Sequence, residues 1–529
     1  MNKAVSAAMV NLSIVIITKN EEENLRRLLP VIQGLGEILV YDSGSSDGSE
    51  AVARQYGADF VRDAHWQGFG KQRQKAQQLC RGRWILMLDA DEVPDATMLA
   101  AIKSISGEAP GQTVYGLRRI DHIFGHAIDY AGNHLKAHWR LYPRSFSYDD
   151  ALVHEALVLN GAPTAVLAGY VNHYTAKSPQ QWLAKRLNYA ERWAAERAGR
   201  QRSNFWRICG HTVGAFLKQY FIDRRFLCGR YGLIYSHLFA QYTFNKYALL
   251  YDRNRRPDSY RADYQPHGPV QPRPVSLKNH RHSLSVVLIT KNEERQLAQC
   301  LDSLVDIADE IVVLDSGSTD RTLEIARAFG ARCFANHDWQ GFGVQRQRAQ
   351  ALAVCDYVLM IDADERLDER LRQSIEQVLE RPPRPDVVYG LKRFNIFCGR
   401  RIHWRYGDRL ARLYPRQHFQ FHPYEVHESL NQGTAKLIPL AGALNHYTND
   451  NLLHFMQKNL RYSETWARER PRKNISLWWL GGHANLSFLR EYLLRGAWFG
   501  GIYGFFLAMV SHSYTFNKYL INHEKSGQD

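Results

Sequence analysis

The chain has 529 residues, more than a single domain usually holds, and a formal net charge of +15. This charge predicts attraction to an anionic partner such as an acidic lipid surface or a phosphorylated substrate. No nucleic-acid-binding motif appears in the sequence, so we expect no nucleic acid among the partners. The seven cysteines show no CxxC spacing, which argues against a zinc site or a disulfide framework and favours a reducing compartment.

The first part of the chain alternates short apolar runs with amphipathic stretches. Residues 12–17 form a nearly continuous β-rich run, which is typical of a buried parallel strand. Two further apolar runs end at Asp42 and Asp89, and helical stripes separate them. This order predicts a doubly wound α/β sheet, in which ligands bind at the carboxyl ends of the strands. Thr18, Asp42 and Asp89 follow three such strand ends, so we expect them to share one site.

The chain then repeats the same motifs, and Asp315 follows Asp42 by 273 positions. The repeated motifs, each with the position of its first residue in the two copies, are Thr-Lys-Asn-Glu-Glu (18 and 290), Asp-Ser-Gly-Ser (42 and 315), Trp-Gln-Gly-Phe-Gly (66 and 339), Asp-Ala-Asp-Glu (89 and 362), Arg-Leu-Tyr-Pro-Arg (140 and 412) and Val-His-Glu (153 and 426). A period this long indicates a duplicated domain, because solenoid repeats span only about 20–50 residues. We predict domain 1 over residues 1–251, a linker rich in Arg, Pro and His over 252–282, and domain 2 over 283–522.

The Asp-Ala-Asp motif follows a buried apolar run in both copies. Carboxylate oxygens are the ligands that Mg²⁺ and Mn²⁺ prefer, and the phosphates of a substrate can complete the coordination shell. A lone acidic turn would be a weak signal, but this one recurs at the same distance from the preceding Asp-Ser-Gly-Ser motif. The pattern therefore predicts a divalent metal bound together with a diphosphate.

Together the six motifs resemble those of the inverting family 2 glycosyltransferases, and most of all the lipopolysaccharide-core β-glucosyltransferase group. The resemblance covers residues 12–247 and 284–519. It implies two GT-A-like, Rossmann-type domains with a mainly parallel sheet, each followed by an aromatic and basic helical region. It further implies a UDP-sugar donor, a divalent metal (Mg²⁺ or Mn²⁺) and a lipid-linked saccharide acceptor of the lipopolysaccharide or lipooligosaccharide core.

The resemblance also implies roles for the repeated polar residues. The nucleotide-sugar-binding residues would be Thr18, Glu21, Asp42, Arg73 and Asp89 in the first copy, and Thr290, Glu293, Asp315, Arg346 and Asp362 in the second. Asp91 and Asp364 would be the direct metal ligands. Arg140 and Arg412 would clamp phosphate or acceptor, since Arg recognises phosphate bidentately. A solvated helix face is the alternative for Arg73 and Arg346.

Inverting transfer needs a base that takes the proton of the acceptor hydroxyl. Glu155 and Glu428, in the two Val-His-Glu motifs, are the candidates. His154 or His427 could fill this role or orient the glutamate, and a structural His–Glu pair that closes a loop is the alternative. The copies differ in loops that we expect to face substrate, so we predict two active domains with different donors or acceptors. The rival hypothesis is one active domain beside a non-catalytic sugar-nucleotide-binding scaffold.

Each copy ends in an aromatic and basic stretch, over residues 204–247 and 474–519. We predict helices that lie on an anionic membrane surface, although packing against the catalytic domain is the alternative. The apolar N-terminal stretch at 12–18 reappears at 284–290, so we interpret it as a strand and not as a signal peptide. The expected location is therefore cytoplasmic and peripheral on the inner membrane.

Overall fold

The computed structural model describes residues 11–132, 134–152, 155–261, 264, 268–402, 409–424, 429–470 and 476–526. The elements of the first copy are β1 (Leu12–Thr18), α1 (Glu22–Ile32), β2 (Glu37–Asp42), α2 (Ser49–Gln55), β3 (Asp59–Arg62), α3 (Phe69–Gln78), β4 (Trp84–Asp89), β5 (Glu92–Pro94), α4 (Ala96–Gly107), β6 (Val114–Ile123), β7 (His126–Ala127), β8 (Ala137–Pro143), β9 (Thr164–Val166), β10 (Val171–Ala176), α5 (Pro179–Arg197), α6 (Phe205–Leu217) and α7 (Gly229–Arg255).

The second copy repeats this order with small differences. Its elements are β11 (Leu284–Thr290), α8 (Leu297–Asp302), β12 (Glu310–Asp315), α9 (Thr322–Ala328), β13 (Arg332–Ala335), α10 (Phe342–Ala351), β14 (Tyr357–Ile361), β15 (Glu365–Leu367), α11 (Glu369–Leu379), β16 (Val387–Phe397), β17 (Arg400–Arg401), β18 (Arg409–Pro415), β19 (Gln420–Phe421), β20 (Leu430–Asn431), β21 (Lys436–Pro439), β22 (Leu444–Asn449), α12 (Leu452–Glu469), α13 (Leu477–Leu489) and α14 (Gly501–Ser526).

Each copy forms one ten-stranded mixed sheet with helices packed on it, and the second copy adds a two-stranded sheet of β19 and β20. In the first copy the strand order is β3-β2-β1-β4-β8-β6-β10-β5, and in the second it is β13-β12-β11-β14-β18-β16-β22-β15. The first four strands of each order are parallel, and the fifth is antiparallel to its neighbours. The central strands β1 and β11 are mostly apolar because both of their faces are buried. The predicted α/β fold with two GT-A-like domains is confirmed.

The register of the parallel strands places the predicted site residues at one edge. Thr18 at the end of β1 lies opposite Asp42 at the end of β2, and Ile17 lies opposite Asp89 at the end of β4. In the second copy Thr290 lies opposite Asp315. Strand ends that meet at a sheet edge form the crevice in which α/β proteins bind ligands.

The chain divides into two compact units, and their boundaries do not coincide with those of the two copies. Unit 1 contains Met1–Arg186, Gly210–Thr243 and Glu524–Asp529, and unit 2 contains Leu187–Cys209 and Phe244–His523. Thus α5, α6, α7 and α14 each contribute residues to both units. The boundaries of the domains and of the linker that we expect from the sequence stay predictions.

The helices after each sheet are long but not uniformly apolar. Within the described ranges, no single helix has both the length and the apolar character needed to cross a membrane. One pair, Trp479–Leu494 and Ala497–Glu524, meets the criterion jointly, with a bend of 71° at the break between its members.

Candidate active site

Asp42 is a buried carboxylate held rigidly at the end of β2. Its Oδ2 accepts hydrogen bonds from the backbone N–H groups of Gly44 and Ser45, at 2.9 and 2.8 Å. Thr18 donates from Oγ1 to Asp42 Oδ1 at 3.3 Å. The chain can turn so sharply here because Gly44 has a φ of +93°, a region that residues with a Cβ rarely adopt. The result is a preformed hydrogen-bond acceptor at the sheet edge.

Asp315 has the same surroundings in the second copy. Gly317 and Ser318 donate their backbone N–H groups to its Oδ2 at 2.8 and 2.7 Å, and Thr290 Oγ1 donates to its Oδ1 at 3.0 Å. Burial raises the pKa of Asp315, but the hydrogen bonds, led by that from the Ser318 hydroxyl, bring it below its usual value. This acceptor is therefore ionised.

Asp89 at the end of β4 lies between two arginines that come from distant parts of the chain. Arg73 of α3 donates from Nη2 to Asp89 Oδ1 at 2.7 Å, and Arg140 of β8 donates from Nη2 to Oδ2 at 2.8 Å. Burial raises the pKa of Asp89, but the charges of Arg140 and Arg73 outweigh it and hold the pKa far below its usual range. Glu92 accepts a hydrogen bond from the backbone N–H of Asp89 at 3.0 Å.

The same arrangement surrounds Asp362, which bonds Arg346 at 2.6 Å and Arg412 at 3.0 Å. Arg73 and Arg346 are each only 2% exposed, so the alternative that they lie on a solvated helix face is wrong. We call Arg73, Asp89 and Arg140 the arginine clamp of the first copy, and Arg346, Asp362 and Arg412 that of the second.

Glu155 extends the first clamp on the side of Arg73. Its Oε1 accepts a hydrogen bond from Arg73 Nε at 2.9 Å, so one guanidinium joins Glu155 to Asp89. The other candidates for the base, Glu428, His154 and His427, lie outside the described residues. In the first copy the structure therefore brings Glu155 to the same cluster as the Asp-Ala-Asp motif.

A histidine that we did not single out in the sequence completes the site. His173 on β10 places Nε2 3.3 Å from Asp91 Oδ2 and Nδ1 2.8 Å from Asp121 Oδ1. Burial lowers the pKa of His173, but the hydrogen bonds to Asp121 and Asp91 outweigh this effect and raise it to about 9. The signal was present in the sequence, because Asn-His-Tyr-Thr occurs at both 172–175 and 445–448.

His446 takes the corresponding position in the second copy, with one change of partner. Its Nε2 lies 3.1 Å from Asp364 Oδ2, but its Nδ1 faces Asn395 Oδ1 at 2.8 Å. Burial lowers the pKa of His446, and the bond to Asp364 raises it above its usual value. An amide in the second copy thus replaces the carboxylate of Asp121.

Glu21 and Glu293 lie in the electric field of the same acidic groups. Burial, together with the charge of Asp91, raises the pKa of Glu21. Burial and then Asp364 raise the pKa of Glu293 to about 7. In both copies the first glutamate of the Thr-Lys-Asn-Glu-Glu motif is therefore close enough to the second aspartate of Asp-Ala-Asp for that charge to raise its pKa.

These groups fit a divalent metal that shares its shell with a substrate. Among the described residues, no group of three or more His, Cys, Asp or Glu side chains is arranged to hold a metal alone. Asp91 with His173, and Asp364 with His446, each offer one carboxylate and one imidazole at 3.3 and 3.1 Å from each other. Mg²⁺ commonly binds one or two carboxylates and completes its shell with phosphate oxygens and water.

The sequence matches known proteins in both copies. The model of Glycosyl transferase family 2 matches residues 13–125 and 285–435. An uncharacterized glycosyltransferase of Rickettsia prowazekii is 28% identical over 235 residues, which cover 42% of this chain and 80% of the relative. A lipopolysaccharide core biosynthesis glycosyltransferase of Rhizobium meliloti is 29% identical over 257 residues, which cover 44% of this chain and 89% of the relative.

A match to a solved structure is more restricted. Glucosyl-3-phosphoglycerate synthase from Mycobacterium tuberculosis, solved with Mn²⁺, UDP and glucosyl-3-phosphoglycerate, is 29% identical over a segment that covers 22% of this chain and 44% of that one, with a TM-score of 0.19. The chain thus spans less than half the length of that structure. The two family matches fall on the two sheets with their equivalent sites, and the chain belongs to glycosyl transferase family 2, with one family domain in each copy.

Proposed function

We propose that the chain is a bifunctional inverting glycosyltransferase that moves sugars from UDP-sugar donors to a lipid-linked acceptor, the core of lipopolysaccharide or lipooligosaccharide. It would work on the cytoplasmic face of the inner membrane as a peripheral protein. One observation carries the proposal: each copy brings a buried aspartate, an arginine clamp and an Asp–His pair to one sheet edge. The similarity to the Rhizobium meliloti protein supports the acceptor.

The donor nucleotide would bind across the sheet edge. Asp42 offers a fixed carboxylate to an N–H group of uracil, with Thr18 beside it. Arg73 Nη1 and Arg140 Nε are buried and have no hydrogen-bond partner in the described part of the chain. Buried donors left without a partner are costly, so an anionic ligand such as the diphosphate would stabilise this site when it binds.

Asp91 and His173 in the first copy, and Asp364 and His446 in the second, would hold the divalent metal. Each histidine, whose pKa is raised by its aspartate, would release its Nε2 proton as the metal binds. A metal bound there would supply positive charge next to the departing UDP. Arg73 and Arg140 fix the position of Asp89, which would bind ribose or a water of the metal shell. The clamp thus orients the groups around the diphosphate without a rearrangement during the reaction.

Glu155 is our candidate for the base of the first copy. It would take the proton of the acceptor hydroxyl as the oxygen attacks the anomeric carbon, while UDP leaves from the opposite face of the sugar. Its hydrogen bond from Arg73 fixes the direction of the carboxylate. A positioned base typically contributes about 10²–10⁴-fold to the rate. Glu428 would act in the same way in the second copy.

One observation favours the alternative of a single active domain beside a sugar-nucleotide-binding scaffold. The second histidine, His446, has lost the carboxylate partner that Asp121 gives His173. If that loss weakened metal binding enough, the second copy would still bind a nucleotide but would not transfer sugar.

The test is a turnover assay on the full chain with Mg²⁺ or Mn²⁺, a panel of UDP-sugars and isolated core acceptor. We expect slow release of UDP without acceptor, faster release with it, and a product that carries two added sugars by mass. Addition of one sugar only would favour the scaffold alternative. Nucleotide binding without release of UDP from any donor would overturn the proposal.

A further inference from the structure

Each copy interrupts its C-terminal helices with the same exposed turn. In the first copy α6 passes into a π-helical turn, Lys218–Ile222, and then a 3-10 turn, Arg225–Cys228. In the second copy α13 passes into Arg490–Leu494 and then Ala497–Gly500. We call residues 217–227 the first tip and residues 489–499 the second tip.

Both tips present large apolar side chains to solvent at equivalent positions. The exposed fractions are 55, 72, 46 and 54% for Phe221, Ile222, Phe226 and Leu227, and 55, 83, 50 and 69% for Leu493, Leu494, Trp498 and Phe499. Leu217 and Leu489, one helical turn earlier, are also half exposed. Scattered exposed apolar residues are normal, but a cluster of this size marks an interaction surface.

The exposure is built into the backbone of each tip. A Cβ at Gly232 would lie 1.8 Å from the carbonyl oxygen of Arg225, and one at Gly504 would lie 1.7 Å from that of Ala497. The 3-10 turn is therefore packed tightly against the start of the next helix. In the first tip Arg225 is buried and pairs with Asp129 at 2.9 Å. The apolar side chains are thus held outward by a fixed scaffold.

The charge around the tips is positive at the surface. Lys218 and Arg224 are exposed in the first tip, as are Arg490 and Arg495 in the second. The carboxylates are less exposed and are paired: Asp223 lies 3.1 Å from Arg225, and Glu491, only 3% exposed, lies 2.9 Å from Arg495. An apolar cluster with a cationic border is the combination that binds an anionic lipid surface.

We infer that each tip dips into the headgroup layer of an anionic lipid bilayer. This inference rests on the peripheral membrane location proposed above and assigns it to particular residues. The two copies keep the apolar character of the four positions but not the shapes, since Phe, Ile, Phe and Leu become Leu, Leu, Trp and Phe. A fluid bilayer needs only apolarity, whereas a protein partner would need complementary shape. Tyr503, Phe506 and Ala508 of α14 are buried, so the second tip and not the whole helix is available to lipid.

The test uses the full chain and vesicles of phosphatidylcholine, with or without phosphatidylglycerol. Wild type should float with the anionic vesicles and much less with the neutral ones. Ile222→Ser and Leu494→Ser should each weaken the partition coefficient by at least about tenfold, since each removes apolar groups that the lipid would bury. Leu277→Ser is the matched control, because Leu277 is 86% exposed but lies outside both tips; it should bind as wild type does.

A second measurement does not depend on partition. Brominated lipids should quench part of the tryptophan fluorescence of wild type, and Trp498→Phe should lose that part while still floating. Thermal unfolding should show that all variants are folded. The inference fails if both tip variants float as wild type does, if Leu277→Ser is equally weakened, or if the tip variants convert a dimer to a monomer without any effect on vesicles.

Discussion

The two copies keep the same inner site but differ in the residue behind its histidine. Thr18 with Asp42, the first arginine clamp and the His173–Asp91 pair all have direct counterparts at nearly the same distances in the second copy. Behind the histidine, however, Asp121 in the first copy becomes Asn395 in the second. The groups expected to touch the donor are thus the same in both copies, whereas a group that tunes one of them differs.

This difference has a direct electrostatic meaning. Asp121 adds a negative charge on the Nδ1 side of His173. Burial raises the pKa of Asp121, but the hydrogen bond from His173 outweighs this effect and lowers the pKa to about 2, so Asp121 stays charged. Asn395 offers only a neutral amide oxygen at the same distance of 2.8 Å. Outer partners of this kind raise the basicity of a ligating imidazole and fix its orientation. The first copy should therefore hold a metal more tightly than the second.

The largest effect we expect comes from removing the proposed base of the first copy. Glu155→Gln should lower the rate of the first transfer by roughly 10²–10⁴-fold, because an amide cannot accept the hydroxyl proton. The affinity for UDP-sugar, measured by calorimetry, should stay unchanged, and the second transfer should be intact on an acceptor that already carries the first sugar. Glu108→Gln, an exposed site, is the control.

Loss of affinity for UDP-sugar in Glu155→Gln would indicate a different role for Glu155. It would show that Glu155 acts by positioning Arg73, to which it is bound at 2.9 Å. Unchanged transfer would remove Glu155 from the reaction altogether.

The metal ligands give the most symmetrical test of the two copies. Asp91→Ala and Asp364→Ala should each lower one transfer by roughly 10²–10³-fold, since each removes a charged group that helps stabilise the departing diphosphate. Mass analysis of the products should show a different missing sugar in each variant. A variant of either copy that still makes the full product at the normal rate would show that the altered copy is not catalytic.

The sequence predicted the strand ends better than the contacts across the sheet. Apolar runs located Asp42 and Asp89 because a parallel strand buried on both faces must be continuous in apolar residues. The bond from Arg140 to Asp89 joins strands 51 positions apart in sequence, and only the sheet order shows that they meet. His173 was missed because its acidic partners, Asp91 and Asp121, are far from it in the chain.

The helices after the first sheet show the same limit: the sequence predicts the helix but not its tertiary contacts. The sequence of α7 indicates a helix, and the structure has one over Gly229–Arg255. Nothing in its periodicity says that residues up to Thr243 belong to unit 1 and those from Phe244 to unit 2. Which unit a helical residue belongs to depends on its tertiary contacts and not on the pattern of its own helix.

The exchange of the outer partner should have a smaller effect that tests the comparison directly. Asp121→Asn should weaken Mn²⁺ binding of the first copy by about 10–100-fold, and Asn395→Asp should strengthen that of the second. Binding can be measured by calorimetry with UDP present, in a chain whose other copy carries the Asp→Ala change at its metal site. Equal affinities in wild type and Asp121→Asn would contradict the tuning role.

The smallest effect should come from the threonine beside the buried aspartate. Thr18→Val and Thr290→Val keep the shape of the side chain but remove one hydrogen bond, which typically contributes about 1 kcal/mol. The bond is 3.3 Å long in the first copy and 3.0 Å in the second, so the second should lose more. Asp42 and Asp315 each keep two backbone N–H donors, so the variants should still fold and bind UDP several-fold more weakly. If the first copy loses more affinity than the second, then Thr18 contacts the nucleotide itself, because the weaker of the two bonds to aspartate could not account for the larger loss.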